Sequence, residues 1–449
     1  MYAPHTERDI QAMLEVIGAK SLEALSSLPR GLKIEKPLDV EAPLPEANAY
    51  ARIKELADAN SAARMLSFLG AGAYRHYQPP AVPWFATRSE FLTSYTPYQA
   101  EASQGSLQAI FEWQTYVSLL TGMDVSNASL YDGATALVEG VIMSMHANGR
   151  KRVAISRGVH PMYRAVLDTY AAGMGLEVTE IPLSANGLTD ASKLDASGVA
   201  CVVVQSPNFF GCIEDLTPAA KAAHEAGALC VSVTAEALSL AVLKTPRESG
   251  ADIALGEAQS FGLPLGYGGP YVGFIAATRE HVRRLPGRLV GETKDVDGRR
   301  AFVLTLQGRE QHIRRELATS NICTNQALCA LIATVYLATV GSTGLQAIAA
   351  ANLKRARELK EAVCALPGFA SAHEGPTFNE FCVRTPVPAA TLAKRLEKQG
   401  ILAGLPLSRF YPELDHDLLM CATELTSSDD IKRVTAALAK ETERAVAAV

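Results

Sequence analysis

Between Lys151 and Thr234 short apolar runs alternate with amphipathic segments, and this alternation limits the folds open to the chain more than any other feature. Residues 153–156, 176–181, 201–205 and 228–234 read as strands, and residues 162–172 and 218–226 read as helices between them. Parallel strands need a crossover connection, and the crossover helix lies on a sheet face, so the pattern predicts a mainly parallel sheet covered by helices. The runs at 201–204 and 228–233 lack polar alternation and are expected to be central strands buried on both faces. A short apolar strand, a turn rich in glycine and proline, and a second apolar strand follow between Asp252 and Phe274.

The alternation stops near Thr324. Residues 325–341 and 353–366 then show helical spacing with weak breaks at Gly341 and Gly344. A strand at 381–384, a helix at 389–399 closed by Gly400, a strand at 418–422 and a final helix capped within Ser428-Asp-Asp430 complete a second domain. At the other end Thr6 caps a short helix with apolar residues at Ile10, Met13, Leu14 and Ile17, ending near Gly18. Pro29, Pro37, Pro43 and Pro45 keep the next stretch extended until a helical pattern at 49–60. The expected division is an N-terminal arm at 1–65, a large α/β domain at 66–325, and connecting helices with a small α+β domain at 326–449.

A hydrophobic content of 48% over 449 residues is enough for a large core. The 42 basic and 47 acidic residues leave a formal charge of -5, which gives no general attraction to nucleic acid or to an anionic membrane. The eight cysteines are scattered without a CxxC pair, which argues for reduced, mostly buried thiols and against a metal site. No basic region followed by an apolar run opens the chain, and no segment is expected to reach the roughly eighteen apolar residues that span a bilayer. A cytoplasmic location is the expectation.

Two polar stretches stand out. Around Ser94-Tyr-Thr-Pro-Tyr-Gln-Ala-Glu101, aromatic hydroxyls and amides are concentrated, and Tyr95, Tyr98, Gln99 and Glu101 are the candidates for a small amino-acid pocket. The alternative is a loop-to-helix junction in which Tyr95 and Tyr98 simply pack. Asn127 to Gly140 places small residues at the start of an apolar helix, where free backbone N–H groups suit a phosphate. Asp132 competes for those donors as an N-cap, so a capped helix is the preferred reading.

Five segments together resemble one family closely, over essentially the whole chain. They are Thr93-Ser-Tyr-Thr-Pro-Tyr-Gln-Ala-Glu-Ala-Ser-Gln-Gly105, Ala128-Ser-Leu-Tyr-Asp-Gly-Ala-Thr135, Val159-His-Pro161, Phe261-Gly-Leu-Pro-Leu-Gly-Tyr-Gly-Gly-Pro270 and Ala318-Thr-Ser-Asn-Ile-Cys-Thr324. The family is the P-protein of the glycine cleavage system, glycine dehydrogenase (decarboxylating), and the chain resembles its N-terminal half, or alpha subunit. The resemblance implies an α/β, aminotransferase-like fold of pyridoxal phosphate fold type I. Relatives on that scaffold carry a Schiff-base lysine in the turn after the short apolar strand that begins the stretch from Asp252 to Phe274. Here the turn holds Glu257, Ala258, Gln259 and Ser260, and Lys244 and Lys294 lie well outside it.

A lysine-bearing beta subunit is therefore implied, in an alpha2beta2 assembly that holds pyridoxal phosphate covalently on the partner. The reaction implied is decarboxylation of glycine and transfer of the aminomethyl group to the lipoyl arm of the H-protein, with this chain inactive alone. Where relatives place an aspartate for the pyridine nitrogen, this sequence has Thr234-Ala-Glu-Ala237, with Glu236 about two residues out of register. His160 stands in the region of the ring-stacking histidine and reads as a structural relic. Tyr95, Tyr98, Gln99 and Glu101 are the expected substrate-binding residues, with Tyr95 and Tyr98 facing the glycine carboxylate. Thr319, Ser320, Asn321 and Thr324 are expected to contribute to the partner's cofactor phosphate site, unless Ser320 or Asn321 merely caps the following helix. The proline-rich stretch from Gly31 to Pro45 is the expected partner-facing arm. The rival readings are a self-sufficient pyridoxal phosphate enzyme, such as a desulfurase or aminotransferase, and a scaffold subunit that touches no substrate.

Overall fold

The computed structural model describes residues 5–446 except Arg30, Gly31, residues 33–35, Pro37, Thr93, Ser94 and Thr324. It divides into two compact units, residues 1–63 and 64–449. The first unit holds helices Glu7–Ile17 and Glu46–Ala59. Thr6 caps the earlier helix in a reciprocal box with Asp9, and Gly18 closes it in the left-handed region at φ 76°, both as the sequence predicts. Part of the stretch from Gly31 to Pro45 lies outside the described residues.

The second unit is built on a seven-stranded sheet. Its strands are β1 (Val125–Ser126), β2 (Arg152–Ser156), β3 (Glu177–Ile181), β4 (Val199–Gln205), β5 (Leu229–Thr234), β6 (Ile253–Glu257) and β7 (Gly273–Ala277). The spatial order is β1-β7-β6-β5-β4-β2-β3. Strands β2 to β6 pair in parallel, and β7 runs antiparallel to β6 and to β1.

Successive residues of the central strands serve opposite cores. Val202, Val204, Cys230 and Ala254 enter one apolar layer with Trp113, Phe261 and Tyr336. Cys201, Val203, Val231, Val233 and Leu255 enter the other with Leu137 and Val141 of helix Gly133–Asn148. Burial on both faces is why these runs carry no polar alternation. The helix lies so close to the sheet that a Cβ on Gly140 would stand 2.3 Å from Leu255.

Helix Ala327–Cys364 leads from the large sheet to a four-stranded antiparallel sheet made of Ala370–Ser371, Glu380–Arg384, Asp417–Cys421 and Leu405–Pro406. By length and composition one window of this helix could cross a bilayer, which corrects the sequence expectation that no segment would. Its backbone breaks at Gly341 (φ 63°, ψ 179°), and Ala330, Ala333 and Tyr336 pack in the core beside the large sheet. Gly344 lies within the helix and makes no break. The final helix, Ser428–Val446, is capped one residue earlier than expected, by a reciprocal pair between Ser427 and Asp430. A hairpin of Leu289–Lys294 with Arg300–Thr305 was not anticipated. Six cysteines, Cys201, Cys212, Cys230, Cys329, Cys382 and Cys421, are buried.

Candidate functional site

At the end of β6 the chain turns into Ala258-Gln-Ser260, where the Glu257 and Gln259 side chains are engaged inside the protein and the Ser260 hydroxyl has no partner among the described residues. Glu257 is fully enclosed. One of its carboxyl oxygens accepts from Gly133 N at 3.1 Å, at the first turn of helix Gly133–Asn148. The other accepts from Ala258 N at 3.0 Å and Val272 N at 2.9 Å. Burial pushes this carboxyl up to about 8, against the pull of those three N–H groups. Asp132 accepts from Thr135 N at 2.7 Å in a capping box, as expected, so the helix terminus that could have cradled a phosphate is closed twice over.

Gln259, near the position of a Schiff-base lysine, is buried and clamps the loop that follows Phe68. Its amide accepts from Tyr74 N at 2.8 Å and donates to Tyr74 O at 3.0 Å and Leu263 O at 2.8 Å. That loop fills the space in front of the sheet. Gly72, at φ 92°, would place a Cβ 2.9 Å from His160 Nε2, and His160 donates to Ala71 O at 2.9 Å while accepting from Met162 N at 3.1 Å. Burial lowers the proton affinity of His160, which fits this neutral tautomer.

Further along the same loop, His76 bridges Glu236 at 3.0 Å and Glu424 at 2.8 Å. Burial disfavours its charge, but Glu236 and Glu424 outweigh that and carry it up to about 10. Glu236 also accepts from Asn379 Nδ2 at 2.9 Å, so its carboxylate is committed to this network. Glu380 accepts from Ala71 N at 2.6 Å and Tyr74 Oη at 2.8 Å, and burial raises it to about 7.

The second region is open. A cleft of about 320 Å³ is lined by Phe91, Leu92, Tyr95, Pro97, Ile110, Trp113 and the start of helix Ala327–Cys364, including Asn325 and Gln326. Tyr95 is 84% exposed and Tyr98 61% exposed. The Tyr98 hydroxyl meets Arg288 Nη2 at 3.2 Å, and the guanidinium stands 5.3 Å from the Tyr98 ring centre. Asn325 is paired with Ser129 through both ends of its amide, at 2.5 and 3.0 Å. Gln326 precedes the helix without a side-chain cap.

Residues 1–438 match the family model described as "Glycine cleavage system P-protein". The chain belongs to that family. It is 50% identical over 441 residues to a protein of Moorella thermoacetica named probable glycine dehydrogenase (decarboxylating) subunit 1, covering 97% of this chain and 98% of that one. A protein of Anaeromyxobacter dehalogenans with the same name is 48% identical over 431 residues, covering 94% and 96%. Among solved structures, a glycine decarboxylase P-protein in inhibitor-bound form superposes at TM-score 0.91 with 46% identity, covering 98% of this chain and 99% of that one. A sphingosine-1-phosphate lyase of Burkholderia pseudomallei matches at TM-score 0.64 and 15% identity, covering 92% and 93%, which speaks for the fold alone.

Within this P-protein chain the anticipated residues fall in two places. Tyr95 lines the open cleft, and Tyr98 and Gln99 line a neighbouring open recess that also includes Thr96 and Ser103. Glu101 is exposed. Thr319 and Ser320 are half-buried, Asn321 is exposed, and Thr324 lies outside the described residues. Neither Ser320 nor Asn321 caps the following helix. The Ser320 hydroxyl accepts from Ile322 N at 3.1 Å and bonds Glu139, whose buried carboxyl is raised to about 7. Sequence reasoning missed His76, Glu380, Glu424 and Arg288. Each gains its role from a partner far along the chain, and a lone charged residue in an unremarkable segment carries no signal of that.

Proposed function

We propose that this chain is the lysine-less subunit of a two-subunit glycine-decarboxylating P-protein and completes a catalytic site carried by a lysine-bearing partner. The assembly would take glycine and the lipoylated H-protein as substrates, in an alpha2beta2 arrangement. The observation that carries the reading is the closed cradle. Glu257 and Asp132 take the donors of the helix terminus, Gln259 stands near the lysine position, and the Ala71–Gly72 backbone abuts His160. The residues of this cradle do not fit pyridoxal phosphate, so no step is routed through a cofactor held here.

What this chain offers instead is the open cleft. Tyr95 and Tyr98 are the proposed contacts for the glycine carboxylate, and Gln99 and Glu101 are the proposed substrate-binding residues beside them. Thr319, Ser320, Asn321 and Thr324 are the proposed donors to the phosphate of the cofactor bound by the partner. Aromatic rings there exclude water while hydroxyls and amides orient the substrate, which strengthens every charge interaction in the completed site. Bound pyridoxal phosphate itself supplies the electron sink for loss of carbon dioxide.

Co-expression with a lysine-bearing subunit, followed by a glycine decarboxylation assay, tests the reading directly. Activity should require both chains. Activity of this chain alone, or an absorbance band that borohydride fixes to it, would overturn the reading. Pyridoxal phosphate titration of the assembled Ser320→Ala and Asn321→Ala variants tests the phosphate contacts, and unchanged cofactor affinity in both removes that part.

A further inference from the structure

Arg288 follows Pro286-Gly287 and opens the hairpin Leu289–Lys294 with Arg300–Thr305, with only 7% of its surface exposed. Among the described residues its one side-chain hydrogen bond goes to a phenol, Tyr98 Oη. Its buried Nε has no partner. Among the described residues no carboxylate comes within the 4.0 Å of an ion pair with it. The carboxyl that feels it, Glu310, is raised mainly by burial and drawn down first by Arg309, then by His312, and least by Arg288. A guanidinium held out of water with its charge uncompensated is costly, and folded proteins otherwise pair such groups.

The position of this charge is specific. Arg288, Ser129, Asn325 and Tyr95 line a small recess that shares Tyr95, Pro97, Ile110 and Asn325 with the 320 Å³ cleft. Ser129 and Asn325 satisfy each other, so among the described residues Arg288 is the charged group of that wall that lacks a counter-charge. The Tyr98 ring, whose centre lies 5.3 Å from the guanidinium carbon, adds a cation–π contact to the hydrogen bond from Nη2.

We propose that Arg288 binds the carboxylate of the small amino-acid substrate in the completed site, with Tyr98 as its positioning residue. This rests on the reading that the cleft forms part of a shared glycine site. One guanidinium neutralises one negative charge, and its planar fork matches the two oxygens of a carboxylate. A phosphate dianion would leave the recess with a net negative charge. Arg288 thus adds the cation that Tyr95 and Tyr98 lack.

The test uses the assembled complex and reads binding as well as turnover. Glycine and pyridoxal phosphate are titrated separately, by absorbance, into wild type, Arg288→Met, Arg288→Lys and Tyr98→Phe, with thermal melts of each. For Arg288→Met the glycine half-saturation should rise roughly tenfold or more, because a charge-assisted hydrogen bond is lost. Arg288→Lys should fall between it and wild type, and cofactor affinity should be unchanged in both. Weakened cofactor binding with normal glycine saturation would assign Arg288 to the phosphate and overturn the proposal, as would normal affinity for both ligands. If Arg288→Met fails to assemble, the lysine variant decides: wild-type glycine saturation in it defeats the proposal. A wild-type complex that binds no glycine defeats the shared-site reading and this inference with it, whereas wild-type binding with indifferent variants defeats the inference alone.

Discussion

The two regions around the large sheet differ in how far their polar groups are satisfied within one chain. In front of β6, Glu257, Gln259, His76, Glu236 and Glu380 form a buried network in which each group has named partners from distant segments. At the cleft beside helix Ala327–Cys364, two tyrosines are exposed and a buried guanidinium lacks a counter-charge among the described residues. A region whose hydrogen bonds are complete contributes to stability and has no vacancy for a ligand. A region left incomplete costs stability in the isolated chain, and the remaining partners must come from outside it.

That comparison is broken most directly at His76. Replacing it with alanine leaves Glu236 and Glu424 buried without their cation, and a loss of roughly 3–5 kcal/mol is expected. Urea unfolding measures it, and a loss under about 1 kcal/mol would show that the network is not the tightly coupled unit described.

A smaller effect is expected from Glu257→Gln, because an amide would turn an N–H toward the backbone donors of Gly133 or Val272. About 1–3 kcal/mol should be lost. The pH dependence should change as well. A carboxyl raised from 4.5 to about 8 keeps its proton longer in the folded chain, so its contribution is full below pH 4.5 and is lost as pH rises through 8. His76, raised from 6.5 to about 10, acts in the same direction over a higher window. Wild type should therefore lose stability from pH 5 to 9, and Glu257→Gln should flatten the part between 5 and 8. An unchanged slope would remove Glu257 from the pH response.

At the cleft the expected stability changes are the smallest. Tyr95→Phe removes a hydroxyl from an exposed side chain and should shift stability by no more than about 0.5 kcal/mol, whereas Tyr98→Phe also takes the acceptor from Arg288 and should cost about 1 kcal/mol. Decarboxylation by the assembled complex should nevertheless fall, since these hydroxyls are the proposed carboxylate contacts. Full activity in both variants, with assembly intact, would reduce the cleft to a packing surface.

The comparison also separates what was legible in the sequence from what was not. Local rules are carried by neighbours along the chain, so the Thr6 and Asp132 caps and the left-handed Gly18 could be read directly. Ser428 was off by one because Ser427 and Asp430 satisfy the same capping pattern one step earlier. The hairpin that begins at Leu289 was missed because its outer strand, Arg300–Thr305, is only partly buried and lacks a clean two-residue alternation.

The sequence by itself determined the parallel sheet, since runs such as 201–204 are stable only when both faces are covered, and it determined that no lysine follows β6. What takes the lysine's surroundings was decided by tertiary structure alone. Gln259 meets Tyr74 across 185 positions, and Tyr74 meets Glu380 across 306. Arg288 reaches Tyr98 across 190. Side-chain pairing at that range depends on how the loop after Phe68, the large sheet and the small sheet are packed together, and no periodicity in the chain records that geometry.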